Sequence, residues 1–151
     1  MNIVLYWQNQ ARKYGERPAY RRKVNGEWVR RSWKEYGEVV KQFAIGLMSL
    51  GMEAGERVAI LGSTREEWDW ADRATLAIGG IVVGVHHSNT PEQVRYILDH
   101  SGARILVVEN EAQWRISYRR KTGTWPLSKP SRNPRSCHRI SPRMPEKSRR
   151  H

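Results

Sequence analysis

Four carboxylates lie close together in the middle of the sequence, and their residue type suits acid–base chemistry. They are Glu66, Glu67, Asp69 and Asp72. Paired acids serve catalysis when their surroundings push their pKa values apart. Here the four fall in the first turns of a predicted helix, where the helix dipole favours negative charge. We therefore predict that they stabilise a helix start and are not catalytic.

Two adjacent histidines, His86 and His87, form a second group of interest because imidazole is a common metal ligand. They follow an apolar run that we predict to be a strand, and neighbouring strand residues point to opposite faces. A shared metal ion is therefore not expected, and an exposed strand end is. The sequence also has no Cys and His cluster with the spacing of a zinc site.

The stretch ILGSTREEW, residues 60–68, joins a predicted strand to a predicted helix. Backbone N–H groups at such a helix start form a generic anion site. The stretch has a single glycine and lacks the glycine-rich fingerprint that binds a pyrophosphate. We therefore predict no cofactor binding at this loop.

The elements that position these groups alternate between strand and helix from residue 58 to residue 109. Three apolar runs, 58–61, 81–85 and 105–108, have the composition of strands buried on both faces. This order predicts an α/β fold with a parallel sheet and flanking helices. Three strands make an incomplete sheet with open edges, so we expect residues 1–114 alone to be marginally folded.

A short helix, a hairpin and a long helix precede this sheet. The hairpin is predicted from the dipeptide Asn25-Gly26, and its arginines and lysines are expected on the solvent side. Gly51 predicts the end of the long helix. Three helix starts have a Ser or Thr followed three residues later by Glu or Gln, which predicts capping boxes: Ser32 with Glu35, Ser63 with Glu66, and Thr90 with Gln93.

The charge of the chain is uneven. The 151 residues carry 27 Lys and Arg against 15 Asp and Glu, for a net charge of +12. Residues 115–151 hold 12 of the basic residues and one acid, Glu146, so the basicity belongs to this tail. The tail also holds five of the seven prolines and has no sustained apolar period. We therefore predict that it is disordered.

Three features bear on where the protein resides. Its one cysteine, Cys137, cannot form an internal disulfide, which fits a reducing compartment. The N-terminus lacks the features of a secretory signal. The longest uncharged run, residues 74–85, is too short to span a bilayer. We therefore expect a cytoplasmic protein with no transmembrane segment.

Five local patterns occur in unbroken order along residues 1–114: GEWVRRSWKEY, LGMEAGERVAIL, EEW, TPEQVRYIL and SGARILVVEN. Together they resemble the N-terminal region of the acyl-adenylate-forming (AMP-binding) enzymes, and among these the long-chain fatty acid CoA ligases. The segment HHSN, residues 86–89, departs from the family, which has a more apolar turn there. The resemblance implies that the chain begins the large N-terminal domain of such an enzyme.

The resemblance implies a two-step reaction, in which a fatty acid carboxylate attacks the α-phosphate of ATP to give an acyl adenylate and pyrophosphate, and the CoA thiol then displaces AMP. The family's phosphate loop, Mg²⁺ ligand and mobile lysine lie downstream of the matched region. No catalytic, cofactor-binding or metal-binding residue is therefore carried over. The stretch KTGTWPLSK echoes the phosphate loop through Thr122, Gly123, Thr124 and Lys129, but it lacks the second glycine and a preceding strand. We expect the chain alone to be inactive and to bind no ATP, Mg²⁺ or CoA.

The pattern breaks at Trp114, and three explanations are open. The first, which we favour, is that residues 115–151 are an out-of-frame or misjoined sequence attached to a truncated ligase domain, residues 1–114. The second is a small module whose basic tail binds nucleic acid or another anionic surface non-specifically, with Tyr118 and Trp125 stacking on bases. The third is an interaction module whose unfinished sheet pairs with another chain.

Overall fold

The computed structural model describes residues 3–118, and within them helices and strands follow one another closely. The elements are α1 (Ile3–Tyr14), β1 (Pro18–Val24), β2 (Glu27–Ser32), α2 (Trp33–Ser49), β3 (Arg57–Gly62), α3 (Glu66–Ala77), β4 (Ile81–His86), α4 (Pro91–Ser101), β5 (Ile105–Val108) and α5 (Glu111–Tyr118). No helix among these is long and apolar enough to cross a bilayer.

The helical pattern continues past Trp114, where we predicted it to stop. α5 ends at Tyr118, so residues 115–118 belong to a helix and the predicted boundary is too early. One reason is local, because Arg115 forms an ion pair of 2.9 Å with Glu111 one helical turn before it. The rest of the segment that we predicted to be disordered lies outside the described residues.

β1 and β2 form an antiparallel hairpin, as predicted. Asn25 and Gly26 make its turn with φ values of 50° and 88°, the left-handed backbone that a two-residue hairpin turn requires. The base of the hairpin is tied to the start of α2, because the N–H of Trp33 donates to the carbonyl of Arg17 at 3.0 Å. The hairpin is thereby held against the helices and not free in solvent.

β3, β4 and β5 form a parallel sheet in the order β4-β3-β5. The chain passes from β3 through α3 to β4 on one side, and returns through α4 to β5 on the other. Val58 of β3 lies beside Val82 of β4 and Ile105 of β5. Within residues 3–118, β4 and β5 each pair with β3 alone and form the edges of the sheet. The predicted α/β fold with an incomplete parallel sheet and flanking helices is confirmed.

Alternate residues of β3 face two apolar clusters, one on each side of the sheet. Val58 and Ile60 belong to the cluster beneath α2 and α3. Ala59 and Leu61 belong to the cluster beneath α4. All four are fully buried. The sheet is therefore covered on both faces, and the exposed parts of its strands lie at the edges.

Two of the three predicted capping boxes are present. The Ser32 hydroxyl accepts from the N–H of Glu35, and the Glu35 carboxylate accepts from the N–H of Ser32 at 2.9 Å. Thr90 and Gln93 make the equivalent pair at the start of α4. Each such cap stabilises its helix by about 1 kcal/mol. Both boxes join residues three apart, so the local sequence is enough to specify them.

Candidate functional site

The carboxyl ends of the parallel strands meet at one edge of the sheet, where α/β folds most often bind ligands. Ser63 follows β3, His86 ends β4 and Glu109 follows β5. The connections after β3 and β5 lead to opposite faces, because α3 packs in the cluster with α2 whereas α5 contacts α4. The space between the ends of β3 and β5 is therefore the topological switch point of the sheet.

Glu109 fills this switch point with its own carboxylate. One oxygen accepts from the Ser63 N–H at 2.9 Å and from the Ser63 hydroxyl at 2.8 Å. The other accepts from Nη1 of Arg65 at 2.9 Å. The backbone hydrogen bond from Ser63 first, and that from Arg65 next, lower the pKa of Glu109 to about 2. An ionised carboxylate thus joins the end of β5 to the start of α3.

The first turn of α5 fixes the backbone from which Glu109 extends. The side-chain oxygen of Gln113 accepts from the Glu109 N–H at 2.9 Å. The side-chain oxygen of Asn110 accepts from the Gln113 N–H at 3.0 Å, as an N-cap residue does. Glu109 is therefore held at both its backbone and its carboxylate.

The loop of residues 60–68 differs from its prediction at the start of α3. The N-cap residue is Arg65, which makes no side-chain cap hydrogen bond. The predicted capping box of Ser63 with Glu66 is wrong, because Glu109 engages Ser63 and the hairpin engages Glu66. The donors at Ser63 that an external anion would need already serve Glu109.

Glu66 is the most buried of the four carboxylates at the start of α3, with a side chain 6% exposed. Nε of Arg22 lies 2.9 Å and Nε of Arg31 lies 3.1 Å from its two oxygens. The hydroxyl of Tyr20 donates to the same carboxylate. The expectation that the hairpin cations face solvent is wrong for both arginines, because a buried carboxylate requires compensating charge. This cluster fastens the hairpin to α3.

Two tyrosines extend the cluster. Tyr36 donates its hydroxyl hydrogen to the carboxylate of Asp69, and the Tyr20 hydroxyl accepts from Nε1 of Trp70 at 3.0 Å. Burial first, and the hydrogen bond to a carboxylate second, raise the pKa of both tyrosines above the ordinary value of 10. Both therefore remain neutral hydrogen-bond donors at physiological pH.

The remaining two carboxylates pair with arginines of the same segment. Glu67 lies 3.5 Å from Nε of Arg65, and Asp72 lies 3.5 Å from Nη1 of Arg73. Burial raises the pKa of Asp72. Each of the four acids thus faces a cation or a tyrosine hydroxyl, an arrangement suited to joining elements. That none is catalytic stays a prediction.

The two histidines stack on each other with ring centroids 4.5 Å apart. The expectation that they point to opposite sides is wrong, because β4 ends at His86 and the alternation of a strand does not extend to His87. His86 Nδ1 lies 2.7 Å from the hydroxyl of Ser88. Residues 3–118 contain no group of three or more side chains placed to hold a metal ion.

The candidates in the tail lie outside the described residues. They are Thr122, Gly123, Thr124, Trp125, Lys129 and Cys137. Tyr118 is the last residue of α5.

Our sequence reasoning missed Glu109 and Tyr20. A signal for Glu109 was present, because an acid directly after a buried strand falls at the binding edge of a parallel sheet. Tyr20 had no local signal, since its partners Glu66 and Trp70 lie 46 and 50 residues further along the chain.

Comparison with known proteins identifies the family. The family model described as AMP-binding enzyme matches residues 7–143. The chain is 38% identical over 93 residues to the long-chain-fatty-acid–CoA ligase FadD15 of Mycobacterium bovis, covering 62% of this chain and 16% of that protein. It is 36% identical over 107 residues to the long-chain-fatty-acid–CoA ligase ACSBG2 of Gallus gallus, covering 71% of this chain and 14% of that protein.

Solved structures share the fold at lower identity. The N-terminal domain of FACL13 from Mycobacterium tuberculosis matches with a TM-score of 0.66 and 22% identity, over 71% of this chain and 26% of that one. A mutant form of Coronafacic Acid Ligase from Pectobacterium brasiliense matches with a TM-score of 0.70 and 19% identity, over 77% and 22%. The chain therefore belongs to the AMP-binding enzyme family and matches the N-terminal part of its fatty acid CoA ligases.

Proposed function

We propose that residues 1–114 are the N-terminal part of an ATP-dependent fatty acid CoA ligase and that this chain alone does not catalyse the reaction. The observation that carries the proposal is the small share of the relatives' length that this chain spans. The chain matches these ligases at 38% and 36% identity but spans only 16% and 14% of their length. The resemblance implies that the phosphate loop, the Mg²⁺ ligand and the mobile lysine of the intact enzyme lie downstream of residue 114.

The described residues serve as scaffold in this proposal. The polar groups at the carboxyl edge of the sheet are engaged with one another, since Ser63 and Arg65 both donate to Glu109. The carboxylates of α3 hold the hairpin and neighbouring arginines in the same way. These contacts support a role in fixing the geometry of a larger domain. We also propose that the protein resides in the cytoplasm.

We further propose that residues 115–151 follow the ligase segment out of frame. Two observations bear on this in opposite directions. The curated relatives align over 93 and 107 of the 151 residues, so part of this chain has no counterpart in them, whereas the family model matches to residue 143. Reading the gene in its other two frames past codon 114 decides the matter, because a restored ligase sequence is expected in one of them. The absence of ligase sequence in both would overturn the proposal.

A direct assay tests the inactivity. The purified chain, incubated with palmitate, ATP, Mg²⁺ and CoA, is expected to yield no AMP or palmitoyl-CoA above background by chromatography. An intact fatty acid CoA ligase serves as the positive control. Palmitoyl-CoA formed by this chain alone, in proportion to its concentration, would refute the proposal.

A chimera tests the ligase origin separately. The matched segment of the Mycobacterium bovis relative is replaced by the corresponding residues of this chain, and the chimera is expected to retain acyl-CoA synthesis. The control is the same relative carrying its own segment through the same junctions. A chimera that folds, as judged by circular dichroism, but has no activity where the control is active would argue against a ligase scaffold.

The nucleic-acid alternative has no support among the relatives. It stays a prediction that any such binding would involve residues 115–151, would be non-specific and would weaken steeply with salt.

A further inference from the structure

The two faces of the β1–β2 hairpin differ in what covers them. Side chains alternate between the faces along each strand, and directly opposite residues share a face. Tyr20, Arg22 and Arg31 lie on the inner face, which contacts Glu66 of α3. The register places four further side chains on the opposite face, and all four are exposed. We call it the outer face of the hairpin, and it consists of Arg21, Lys23, Trp28 and Arg30.

The outer face carries three cations and no acid. Glu27, the one acid of the two strands, lies opposite Val24 and therefore belongs to the inner face. Arg21 lies directly opposite Arg30, and like charges in this position destabilise a sheet. Within residues 3–118 neither arginine has an ion pair that would relieve the repulsion. An anionic partner would relieve it.

The positive charge is specific to the outer face and is not a property of the folded part as a whole. Residues 1–114 carry 15 Lys and Arg against 14 Asp and Glu, for a net charge of +1. The tail, residues 115–151, carries 12 basic residues against one acid, so it is not complementary to this face. The complementary partner is therefore an acidic segment of another molecule.

Trp28 adds an apolar anchor to the outer face. It is 66% exposed, and Nζ of Lys23 lies 6.0 Å from the centroid of its ring. Tryptophan and arginine are enriched among the residues that carry most of the binding energy at protein interfaces. The hairpin beneath them is fastened to α3 by the buried carboxylate of Glu66, so little order has to be gained on binding. These features favour a protein partner.

The geometry of the hairpin suits an extended segment. Alternate residues of a strand, such as Arg21 and Lys23, are about 6.8 Å apart. An extended peptide with an acid at every second position repeats its carboxylates at the same distance. Within residues 3–118, β1 and β2 pair only with each other. The hairpin therefore offers strand edges to which the backbone of a peptide, unlike that of a nucleic acid, can add.

We propose that the outer face of the hairpin binds an extended acidic segment of another protein. Carboxylates of this segment pair with Arg21, Arg30 and Lys23, and an apolar side chain of the segment packs on Trp28. The inference goes beyond the proposed function, since it requires no step of the ligase reaction.

The test uses the full chain and an octapeptide of alternating Glu and Val, blocked at both ends. A carbodiimide joins a carboxylate to a lysine amine in contact with it, and mass spectrometry identifies each lysine that is crosslinked. The yield at Lys23 is expected to be severalfold higher than at Lys13, which is also exposed. Reading the yield at Lys23 separates the hairpin from the lysines of the tail. Equal yields at Lys23 and Lys13 would overturn the proposal.

The decisive variant is Arg21→Gln with Arg30→Gln. The crosslink at Lys23 is expected to fall about tenfold, because two of the three cations are lost. Its free energy of unfolding should not fall, because the variant removes a repulsion. The matched control, Arg12→Gln with Lys13→Gln, removes the same charge from exposed positions on α1 and should leave the yield at Lys23 unchanged. An equal loss in this control would overturn the proposal, because it would mean that net charge alone attracts the peptide.

A second pair of variants tests the apolar anchor. Trp28→Gln should lower the yield at Lys23 severalfold, whereas Tyr96→Gln, which alters an equally exposed ring on α4, should not. Crosslinks between Lys23 and an acid of a second copy would overturn the proposal in favour of self-association. No crosslink to the peptide, together with weaker binding of a labelled oligothymidine or of phosphatidylglycerol vesicles by the double-arginine variant, would overturn it in favour of nucleic acid or lipid.

Discussion

Glu66 and Glu109 each accept a hydrogen bond from a residue 46 positions earlier, and they differ in how far water reaches them. The Glu66 side chain is 6% exposed and faces two arginines and a tyrosine. The Glu109 side chain is 23% exposed and faces one arginine and one serine. Two similar carboxylates thus join distant elements under different degrees of burial.

The difference follows from the cost of removing charge from water. A buried carboxylate is tolerated only when cations and donors replace its hydration. Removing it leaves those cations without their partner, which costs more than the pair itself contributed. When a carboxylate near the surface is removed, water takes over part of its contacts, so the protein loses less stability. The environment, and not the chemical group, decides how much each carboxylate contributes to stability.

The largest expected effect is that of Glu66→Gln. It leaves Arg22 and Arg31 without a carboxylate at the junction of hairpin and α3. We expect a loss of about 3 kcal/mol in the free energy of unfolding, at the low end for a buried pair because both arginines are partly exposed. Urea unfolding followed by tryptophan fluorescence measures this loss. If the unaltered chain is less stable than the loss itself, the variant is expected to be unfolded without urea.

Glu67→Gln is the matched control for this variant. It removes the same charge from the same helical turn, but Glu67 is paired only at 3.5 Å with a half-exposed Arg65. We expect a change below about 1 kcal/mol. Equal losses in the two variants would mean that the helix dipole, and not the buried cluster, accounts for the contribution of Glu66.

The second effect concerns Tyr20→Phe. It removes the hydroxyl that donates to Glu66 and accepts from Trp70, for an expected loss of about 1.5 kcal/mol. The pKa of Tyr20 is raised above 10 in the folded chain, so its contribution is complete below pH 10 and declines above it as the unfolded chain ionises. As the pH is raised from 9 to 11, the free energy of unfolding of the variant should therefore fall less than that of the unaltered chain, as measured by urea unfolding.

Tyr96→Phe controls for the loss of a tyrosine as such. The Tyr96 side chain is exposed and its ring stacks on His100. The stability of this variant near neutral pH is expected to equal that of the unaltered chain, because the ring stacking does not require the hydroxyl. An unchanged alkaline dependence in Tyr20→Phe would contradict the burial of this hydroxyl.

The third effect is that of Glu109→Gln, for which we expect a loss of about 1 kcal/mol at pH 7. The folded pKa of Glu109 is about 2 against an ordinary value of 4.5. Its contribution is therefore present above pH 4.5 and disappears as the pH falls toward 2. The difference in unfolding free energy between the unaltered chain and the variant should shrink over this window. A difference that stays constant from pH 7 to 2 would show that Glu109 is not held ionised.

The smallest effect is expected for Lys34→Gln. The pair of Lys34 with Glu16 has a distance of 3.1 Å, but both side chains are about three-quarters exposed. We expect a change below about 0.5 kcal/mol, and less at high salt because exposed charges are screened. Urea unfolding in low and high salt measures it. A loss as large as that of Glu109→Gln would show that burial does not determine the order of the stability losses among these variants.

Features that depend on near neighbours in sequence could be predicted. The boxes Ser32 with Glu35 and Thr90 with Gln93 each need only residues three apart, and the turn at Asn25 and Gly26 needs only two. The parallel sheet was also predictable, since strands covered on both faces are apolar throughout.

Features that depend on distant partners could not be predicted. Ser63 and Glu66 have the spacing of a capping box, yet each binds a side chain more than 30 residues away. A carboxylate takes the strongest set of donors that the fold brings within reach, and two arginines outweigh one backbone N–H. The same reason explains Arg22 and Arg31, because the alternation of a strand assigns a side chain to one face but does not show what covers that face.

The order of the strands in the sheet differs from the order in which the ribosome makes them. β3 is the central strand, yet β4 and β5, the strands that flank it, are both made after it, β5 last. At ribosomal rates of about 5–20 residues per second, several seconds pass between the synthesis of β3 and that of β5. During this time β3 lacks one or both of the strands that pair with it. Chaperones that recognise extended apolar segments have this interval in which to bind the nascent chain. Codon choice between residues 62 and 105 would lengthen or shorten it without changing a single amino acid.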